Sequence, residues 1–338
     1  MKKTSVLLIA NYRQGVGGIS GQVEILQRNL RKEGHVADIF NTKGSVFYRL
    51  KLARKLRKTG VDYDVFHIHC CSKWGFLPAV IGIRIGKRLD KRLVITYHGG
   101  GGELFFDRHP RLIQRFLTKT DVNIVLSGFL AKVFEKHKLP YAIIPNIIEL
   151  DDTAFRVRKP IQPHFVCIRA HEELYNIPCI LRAFQQVQRL IPEATLMLVG
   201  SGSLHEELIR QVEQMAIPNV MFTGRVDNSE IMRYLDRADV MLSAPKVDNM
   251  PVSLIEAMNA GLLVISSRVG GVPYMIVDGI NGLLFESDND KELAEKMRWV
   301  MEHQVLAKDM VMKAKQSVQQ YQWTKVKEKL FVAYGIHS

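Results

Sequence analysis

Two doubly wound α/β domains in tandem are what this sequence predicts, and three observations carry the prediction. The chain has 338 residues, too long for one ordinary domain and comfortable for two. Short, nearly continuous apolar runs alternate with stretches of helical period, as in parallel sheets whose strands are buried on both faces. The rhythm breaks once, near LDDTAFRVRKPIQPHF, which is charged and holds two prolines, and then restarts.

In order, SVLLIA reads as the first strand. The opening MKKTSVLLIANYRQG superficially looks like a signal peptide. Its apolar part is only strand-length and no small-residue cleavage site follows, so a buried strand is expected. RQGVGGISG is a glycine turn and QVEILQRNLRKEG an amphipathic helix. HVADIF, DVFHIHC, RLVITYH, NIVLSG and AIIPN are further strands, with helical segments between them. After the break, FVCIRA, ATLMLVG, NVMFTG, DVMLSA and LLVISSR read as strands. IPCILRAFQQVQRLIP, LHEELIRQVEQMA, SEIMRYLDRA, the stretch from Pro251 and KELAEKMRWVMEH read as helices. The expected domains are residues 1–158 and 159–319. Ligands of such sheets sit at the carboxyl ends of strands, and the cleft between two such domains is the default site.

Composition narrows the class. With 47% hydrophobic residues a sizeable core is affordable and wholesale disorder is not expected. No apolar run reaches a membrane span; FLPAVIGIRIG is cut by Arg84 and contains a proline. Cys70, Cys71, Cys167 and Cys179 show neither zinc-type spacing nor a disulfide framework, which fits a reducing cytoplasm. The net charge of +13 is uneven: residues 1–150 hold 26 Lys+Arg against 11 Asp+Glu, the remainder 21 against 23. A basic first half points to an anionic partner. No nucleic-acid-binding signature is present, so nucleic acid is not expected and an anionic membrane surface is the alternative. In VFYRLKLARKLRK, Phe47, Leu50, Ala53 and Leu56 make an apolar stripe among Arg49, Lys51, Arg54, Lys55, Arg57 and Lys58; RHPRLIQRFLTK is similar. Such helices are either solvated surface or docks for anionic lipid.

RQGVGGISG resembles the dinucleotide fingerprint, with Gly15 and Gly17 in place but Ser20 at the third position. Asp38, read as ending the second strand, stands about where a ribose-binding acid would fall. A tight strand–helix turn explains the loop as well, and a nicotinamide oxidoreductase stays a distant alternative. Either way, small residues at a helix N-terminus let backbone N–H groups approach an anion.

KVDNMPVSLIEAMNAG (246–261) places two acids among small apolar residues. Pro251 suits the first turn of a helix and Gly261 its stop. Val252, Leu254, Ile255 and Met258 form the buried face. A carboxylate at Glu256 can accept from two adjacent hydroxyls, as on a ribose, and Asp248 can do so for a second polyol. Alternatively Asp248 caps the helix and Glu256 is a solvated acid. The loop RVGGVP, whose Gly270–Gly271 pair offers N–H donors at the same sheet edge, favours a pocket. Anion donors beside hydroxyl acceptors describe a nucleotide-sugar site. For metal, DYD at Asp62 and DND at Asp288 fit Asp-x-Asp but read as turns. His67 and His69, read as facing opposite ways on a buried strand, are expected with His98 to be separate core or cleft histidines. No metal site is expected.

VDNMPVSLIEAMNAGLLVISSRVGGVPYMIVDGINGLLF resembles the signature of the family 4 glycosyltransferases, which have the GT-B fold. GVGGIS, DVFHIHC, VITYHGG, IIPNII, LMLVGSGSLHEEL and VMFTGRV resemble further motifs of that family in the same order, so the likeness extends over nearly the whole chain. It implies two Rossmann-like domains facing across a cleft, with residues 320–338 crossing back to the first. Glu256 would bind ribose hydroxyls and Asp248, where the family usually has Glu, those of the transferred sugar; Pro251 and Val252 belong to the same donor-binding segment. Gly17 and Gly18 would approach the diphosphate and sugar, and His98 the sugar near the reacting carbon. Gly270 and Gly271 would donate to sugar or phosphate, the backbone around Arg225 and Val226 would meet the base, and Arg169 would bind phosphate. His98, Asp248 and Arg169 are the implied catalytic set.

Two departures stand out. Tyr175 and Asn176 occupy the place of the family's usual Lys-Gly, and Tyr274 that of a Glu. One phosphate-neutralising cation is missing, which Arg169, Lys246 or a cation of the first domain would have to replace. The implied activity is hexosyl transfer from a nucleotide-diphosphate sugar to a hydroxyl acceptor, a glycan or lipid-linked sugar. It would retain configuration by front-face attack, need no metal or cofactor, and serve cell-surface polysaccharide or glycolipid synthesis. A nucleotide-sugar epimerase of the same fold and a degenerate nucleotide-sugar-binding protein are the alternatives.

Overall fold

The computed structural model describes residues 3–15, 18–44, 46–149 and 155–336, and of 46–50 the backbone alone. Two compact units result: residues 1–149 with 321–338, and residues 150–320.

The first unit runs β1 (Ser5–Ala10), α1 (Ile19–Lys32), β2 (Val36–Asn41), α2 (Val46–Thr59), β3 (Val65–Cys70), α3 (Leu77–Arg88), β4 (Arg92–Tyr97), α4 (Gly102–Arg108), α5 (Pro110–Leu117), β5 (Val122–Val125), α6 (Gly128–Lys136) and β6 (Ala142–Ile143). The sheet is parallel in the order β2-β1-β3-β4-β5-β6. Its chain order therefore reverses between β1 and β3, and ligands of open α/β sheets collect beyond the strand ends at such a point. All six residues of β3 are buried, as a strand covered on both faces requires.

The second unit runs β7 (His164–Ile168), α7 (Ile177–Gln188), β8 (Thr195–Val199), α8 (His205–Gln214), β9 (Val220–Gly224), α9 (Ile231–Asp236), β10 (Val240–Ser243), α10 (Val252–Asn259), β11 (Leu263–Ser267), β12 (Leu283–Phe285), α11 (Asp290–Glu302) and α12 (Gln304–Ser317). Its order, β12-β11-β10-β7-β8-β9, is that of the dinucleotide-binding sheets, with the reversal between β7 and β10. β12 and α12 were not among the expected elements. β12 has only three residues, too few to show a period, and Leu283, Leu284 and Phe285 are all buried. The last helix, α13 (Trp323–Tyr334), belongs to the first unit. Val326, Leu330, Ala333 and Tyr334 are buried there in one cluster with Val6, Leu8 and Leu26.

The structure corrects several expectations. The division falls after Glu149, earlier than the expected 158, because Arg156 and Arg158 are anchored in the second unit. Arg158 donates to the carbonyls of Leu235, Ala238 and Ala260 and meets Asp239 at 3.1 Å. Asp38 lies inside β2 rather than at its end, paired with Arg31 at 2.6 Å and accepting from the Tyr63 hydroxyl. In α2 the buried residues past the first turn are Leu52 and Leu56, with Ala53 half-buried, while Lys51, Arg54, Lys55, Arg57 and Lys58 are exposed. The Phe47 and Leu50 side chains lie outside the described set. His67 and His69 share one face of β3, their ring centroids 4.3 Å apart, since residues two apart in a strand point the same way.

The Asp-x-Asp motifs lie in turns, and their carboxylates accept from protein donors such as Ser5, Asn176 and Arg182. Asp62 ends a 3₁₀ turn, Asp64 accepts from Ser5, and Asp288 adopts a left-handed backbone just before the Asn289 cap of α11. Among the described residues no group of three His, Cys, Asp or Glu could hold a metal ion, and no helix is long and apolar enough to cross a membrane.

The Arg158 side chain is only 2% exposed, donates to three carbonyls and faces the buried Asp239. Arg158→Ala is expected to lower unfolding stability by roughly 3 kcal/mol, the scale for breaking a buried ion pair. Urea denaturation measures this, and a loss below about 1 kcal/mol would mean that the clamp is dispensable.

Candidate functional site

The site in the second unit grows from the reversal between β7 and β10. Arg169 is the first residue after β7, and residues 244–251 follow β10. The neighbouring strand ends bring them together: Arg169 Nη1 lies 3.2 Å from Asp248 Oδ2, and the guanidinium reaches Ser243 Oγ at 3.3–3.4 Å. On its other side Arg169 stands over the Tyr175 ring, 5.1 Å from the centroid, a cation–π contact. With a side chain only 9% exposed, Arg169 is held on three sides.

Asp248 does not cap α10. Its Oδ1 accepts from the Asn249 N–H and its other oxygen faces Arg169; the cap position is Pro251, with no side-chain hydrogen bond. Gly270 and Gly271 pack on this loop. A Cβ on Gly270 would lie 2.0 Å from the Asp248 carbonyl oxygen, and Gly270 has φ of +51°, so glycine is required twice over. The Gly271 N–H donates to that same carbonyl at 2.9 Å. Its first duty is thus to tie two loops of the sheet edge together. Tyr274 is exposed on the 3₁₀ turn that follows.

Glu256 lies in the middle of α10, half-buried, among the buried Leu254, Ile255, Ala257 and Met258. Burial pushes its carboxyl up to about 7, against a smaller opposing pull from Arg169. The carboxyl of Glu256 accepts no hydrogen bond from the described residues. A carboxyl at this position, once ionised, can accept from a pair of adjacent hydroxyls.

Where the resemblance predicted Lys-Gly, Tyr175 closes a 3₁₀ turn and Asn176 has φ 47°, ψ 45° at the start of α7. Asn tolerates this left-handed geometry better than most residues, so the backbone a glycine would adopt is kept while the cation is lost. The Lys246 ammonium sits 3.1 Å from Glu173 in an exposed pair. Tyr175 and Ser243 are contacts of Arg169 that the sequence reading did not name. Counting back from Ala183-Phe184 marks Tyr175 as a substitution but gives no sign of stacking.

Arg225 and Val226 follow β9 at the sheet edge, Arg225 exposed and Val226 half-buried. The loops after β7, β8 and β9 are laced together: Arg169 N–H donates to Val199 and Gly200 N–H to Gly224, both at 3.1 Å.

In the first unit, Gly17 lies outside the described residues. Gly18 has φ of +68° and starts α1, with open space where a Cβ would stand. His98 follows β4; its Nε2 is 3.0 Å from His69 Nδ1, and burial pushes it down to about 4, so it is neutral at pH 7.

Glu256 makes the folded state pH-dependent. Its folded pKa of about 7 exceeds the ordinary 4.5, so the acid contributes stability below 4.5 that is lost as pH rises through 7. Wild type should lose roughly 3 kcal/mol across that window relative to Glu256→Gln. Urea titrations of both proteins between about pH 5 and about pH 8 test the sign. A stability difference that stays constant with pH contradicts it.

The chain matches the family model described as glycosyl transferases group 1 over residues 153–317, and that described as glycosyltransferase family 4 over residues 16–152. It is 24% identical over 290 residues to the N-acetyl-alpha-D-glucosaminyl L-malate synthase of Bacillus anthracis, covering 80% of this chain and 74% of that protein. It is 23% identical over 324 residues to the O-antigen chain mannosyltransferase C of Escherichia coli, covering 85% of each. The crystal structure of Anabaena HepE in complex with UDP-glucose superposes with a TM-score of 0.79 at 16% identity, over 98% of this chain and 99% of that one. With two parallel six-stranded sheets of this topology and family matches over both halves, the chain belongs to the family 4 glycosyltransferases of the GT-B fold.

Proposed function

We propose that this glycosyltransferase moves a hexosyl group from a nucleotide-diphosphate sugar to a hydroxyl acceptor, with retention of configuration and without a metal. The observation that carries the reading is the meeting of Arg169 and Asp248 at the β7/β10 reversal, with the half-buried Glu256 on the helix that follows. Glu256 accepts from the ribose hydroxyls, Asp248 from hydroxyls of the sugar, and Arg169 pairs with the diphosphate. As the glycosidic bond breaks, negative charge grows on the leaving phosphate, and a fixed cation there lowers the barrier more than it stabilises the ground state. Asp248 is ion-paired with Arg169, which makes it a poor covalent nucleophile and favours attack by the acceptor on the face the diphosphate leaves. His98 hydrogen-bonds the sugar.

Support for the substrates comes from relatives. HepE is seen with UDP-glucose, and one relative acts on O-antigen chains. A glycan or lipid-linked acceptor of surface polysaccharide or glycolipid synthesis is the class that follows.

The test is a thermal-shift screen of nucleotide sugars, then transfer with the best binder in EDTA and NMR of the product anomer. Wild type should bind one donor and form the retained anomer. Glu256→Gln should weaken donor binding about 10-fold or more, the scale for losing hydrogen bonds to a charged group. An inverted product, or turnover abolished by EDTA, overturns the mechanism. Conversion of donor to an epimer without acceptor points to an epimerase, and tight binding with no turnover to a binding-only relative.

The basic first unit is proposed to dock on anionic membrane at the cytoplasmic face. Exposed Lys51, Arg54, Lys55, Arg57 and Lys58 on α2, with Arg111 and Arg115 on α5, supply the charge, each worth about 1 kcal/mol near such a surface. Flotation with neutral and with anionic liposomes should show binding to the anionic ones alone, weakened by salt. Equal binding to both sinks the electrostatic docking.

A further inference from the structure

His98 is not an isolated histidine. It closes a row of three that starts at the C-terminal helix. Tyr334 of α13 places its hydroxyl 2.7 Å from His67 Nδ1, and His67 Nε2 lies 2.7 Å from Thr96 Oγ1. The His67 and His69 rings lie 4.3 Å apart, and the His69 and His98 rings stack at 5.3 Å. His67, His69 and His98 line a cavity of about 30 Å³ with Gln22, Thr96 and Asn146.

All three rings are neutral at physiological pH. Burial pushes His67 down to about 3 and His98 to about 4, and holds His69 well below the ordinary imidazole range. What can vary is the tautomer. Between His69 Nδ1 and His98 Nε2, 3.0 Å apart, there is one proton. If His98 donates it, the single proton of His69 sits on Nε2, which is buried without a hydrogen-bond partner among the described residues. If His69 donates it, Nε2 carries only a lone pair. An orphaned buried N–H is the rarer and costlier of the two. The second arrangement therefore prevails. It leaves His98 with its proton on Nδ1, which makes no other hydrogen bond among the described residues.

We infer that His69 is a positioning residue, donating from Nδ1 to His98 Nε2 so that His98 presents an Nδ1–H donor to the hydroxyl oxygens of the transferred sugar. This rests on the reading that His98 contacts the sugar. The first link, from His69 to His98, is a property of the protein without substrate and is measured separately.

The test uses ¹⁵N-histidine-labelled full-length protein and long-range ¹H–¹⁵N correlation near neutral pH, with His98 assigned by the signals lost in His98→Gln. Wild type should show His98 protonated on Nδ1. His69→Asn, whose amide occupies the place of Nδ1, should keep that tautomer; His69→Leu should shift it toward Nε2–H. Transfer assays on the same proteins should show kcat lowered about 10-fold or more in His69→Leu, with donor KM within about 2-fold and largely restored in His69→Asn. His98 protonated on Nε2 in wild type overturns the proposal, whether or not the variants fold. So does a His69→Leu protein with unchanged tautomer and kcat. Full transfer by His98→Gln would instead show that His98 does not assist the reaction, while the tautomer still reports on His69.

Discussion

The contact between Arg169 and Asp248 joins the strand-end loops of the second unit, and strand order makes it possible. β7 and β10 are neighbours, but the connections on either side of them run outward in opposite directions. Their carboxyl ends are therefore the one place in the sheet where two loops leave side by side without a helix covering them. A cation on the first loop and an acid on the second meet there at 3.2 Å. The loops carrying Gly270 and Gly200 close in around them, each with a left-handed glycine where a side chain would collide with backbone.

The same rule places the residues of the first unit. Its order reverses between β1 and β3, so the glycine turn after β1 and the histidines at the end of β3 share an edge. Tyr334, from the far end of the chain, is fully enclosed there and hydrogen-bonded to His67. The return of the last helix thus supplies both core and a polar partner for Nδ1 of a buried imidazole whose Nε2 is held by Thr96.

Charge is sparse where phosphate chemistry would need it. Arg169 shares its charge with Asp248, Lys246 shares its own with Glu173, and an aromatic ring stands where the resemblance leads one to expect a lysine. Tyr175 offers orientation rather than charge: a guanidinium stacked on a ring loses less freedom when it binds. The basic residues lie largely in the other half of the sequence, on helices whose apolar sides are buried and whose cations are exposed.

The alternation of apolar runs and helical periods, the break before residue 165 and the ordered motifs were legible in the sequence, and they determined the fold class and the family. The strand pattern is local, and each strand buried on both faces announces itself by composition. β12 and the helix after α11 escaped because one is too short and the other too weakly patterned to stand out. Asp248 and Glu256 could be singled out as acids in apolar surroundings, but whether Glu256 was solvated or dehydrated depended on atoms remote in sequence. The stacking of Tyr175 on Arg169, the use of the Gly271 N–H on Asp248, and the row from Tyr334 to His98 were decided by tertiary structure alone. Each joins residues from separate loops or helices, and only the order of strands in the folded sheet brings such residues within a few ångströms.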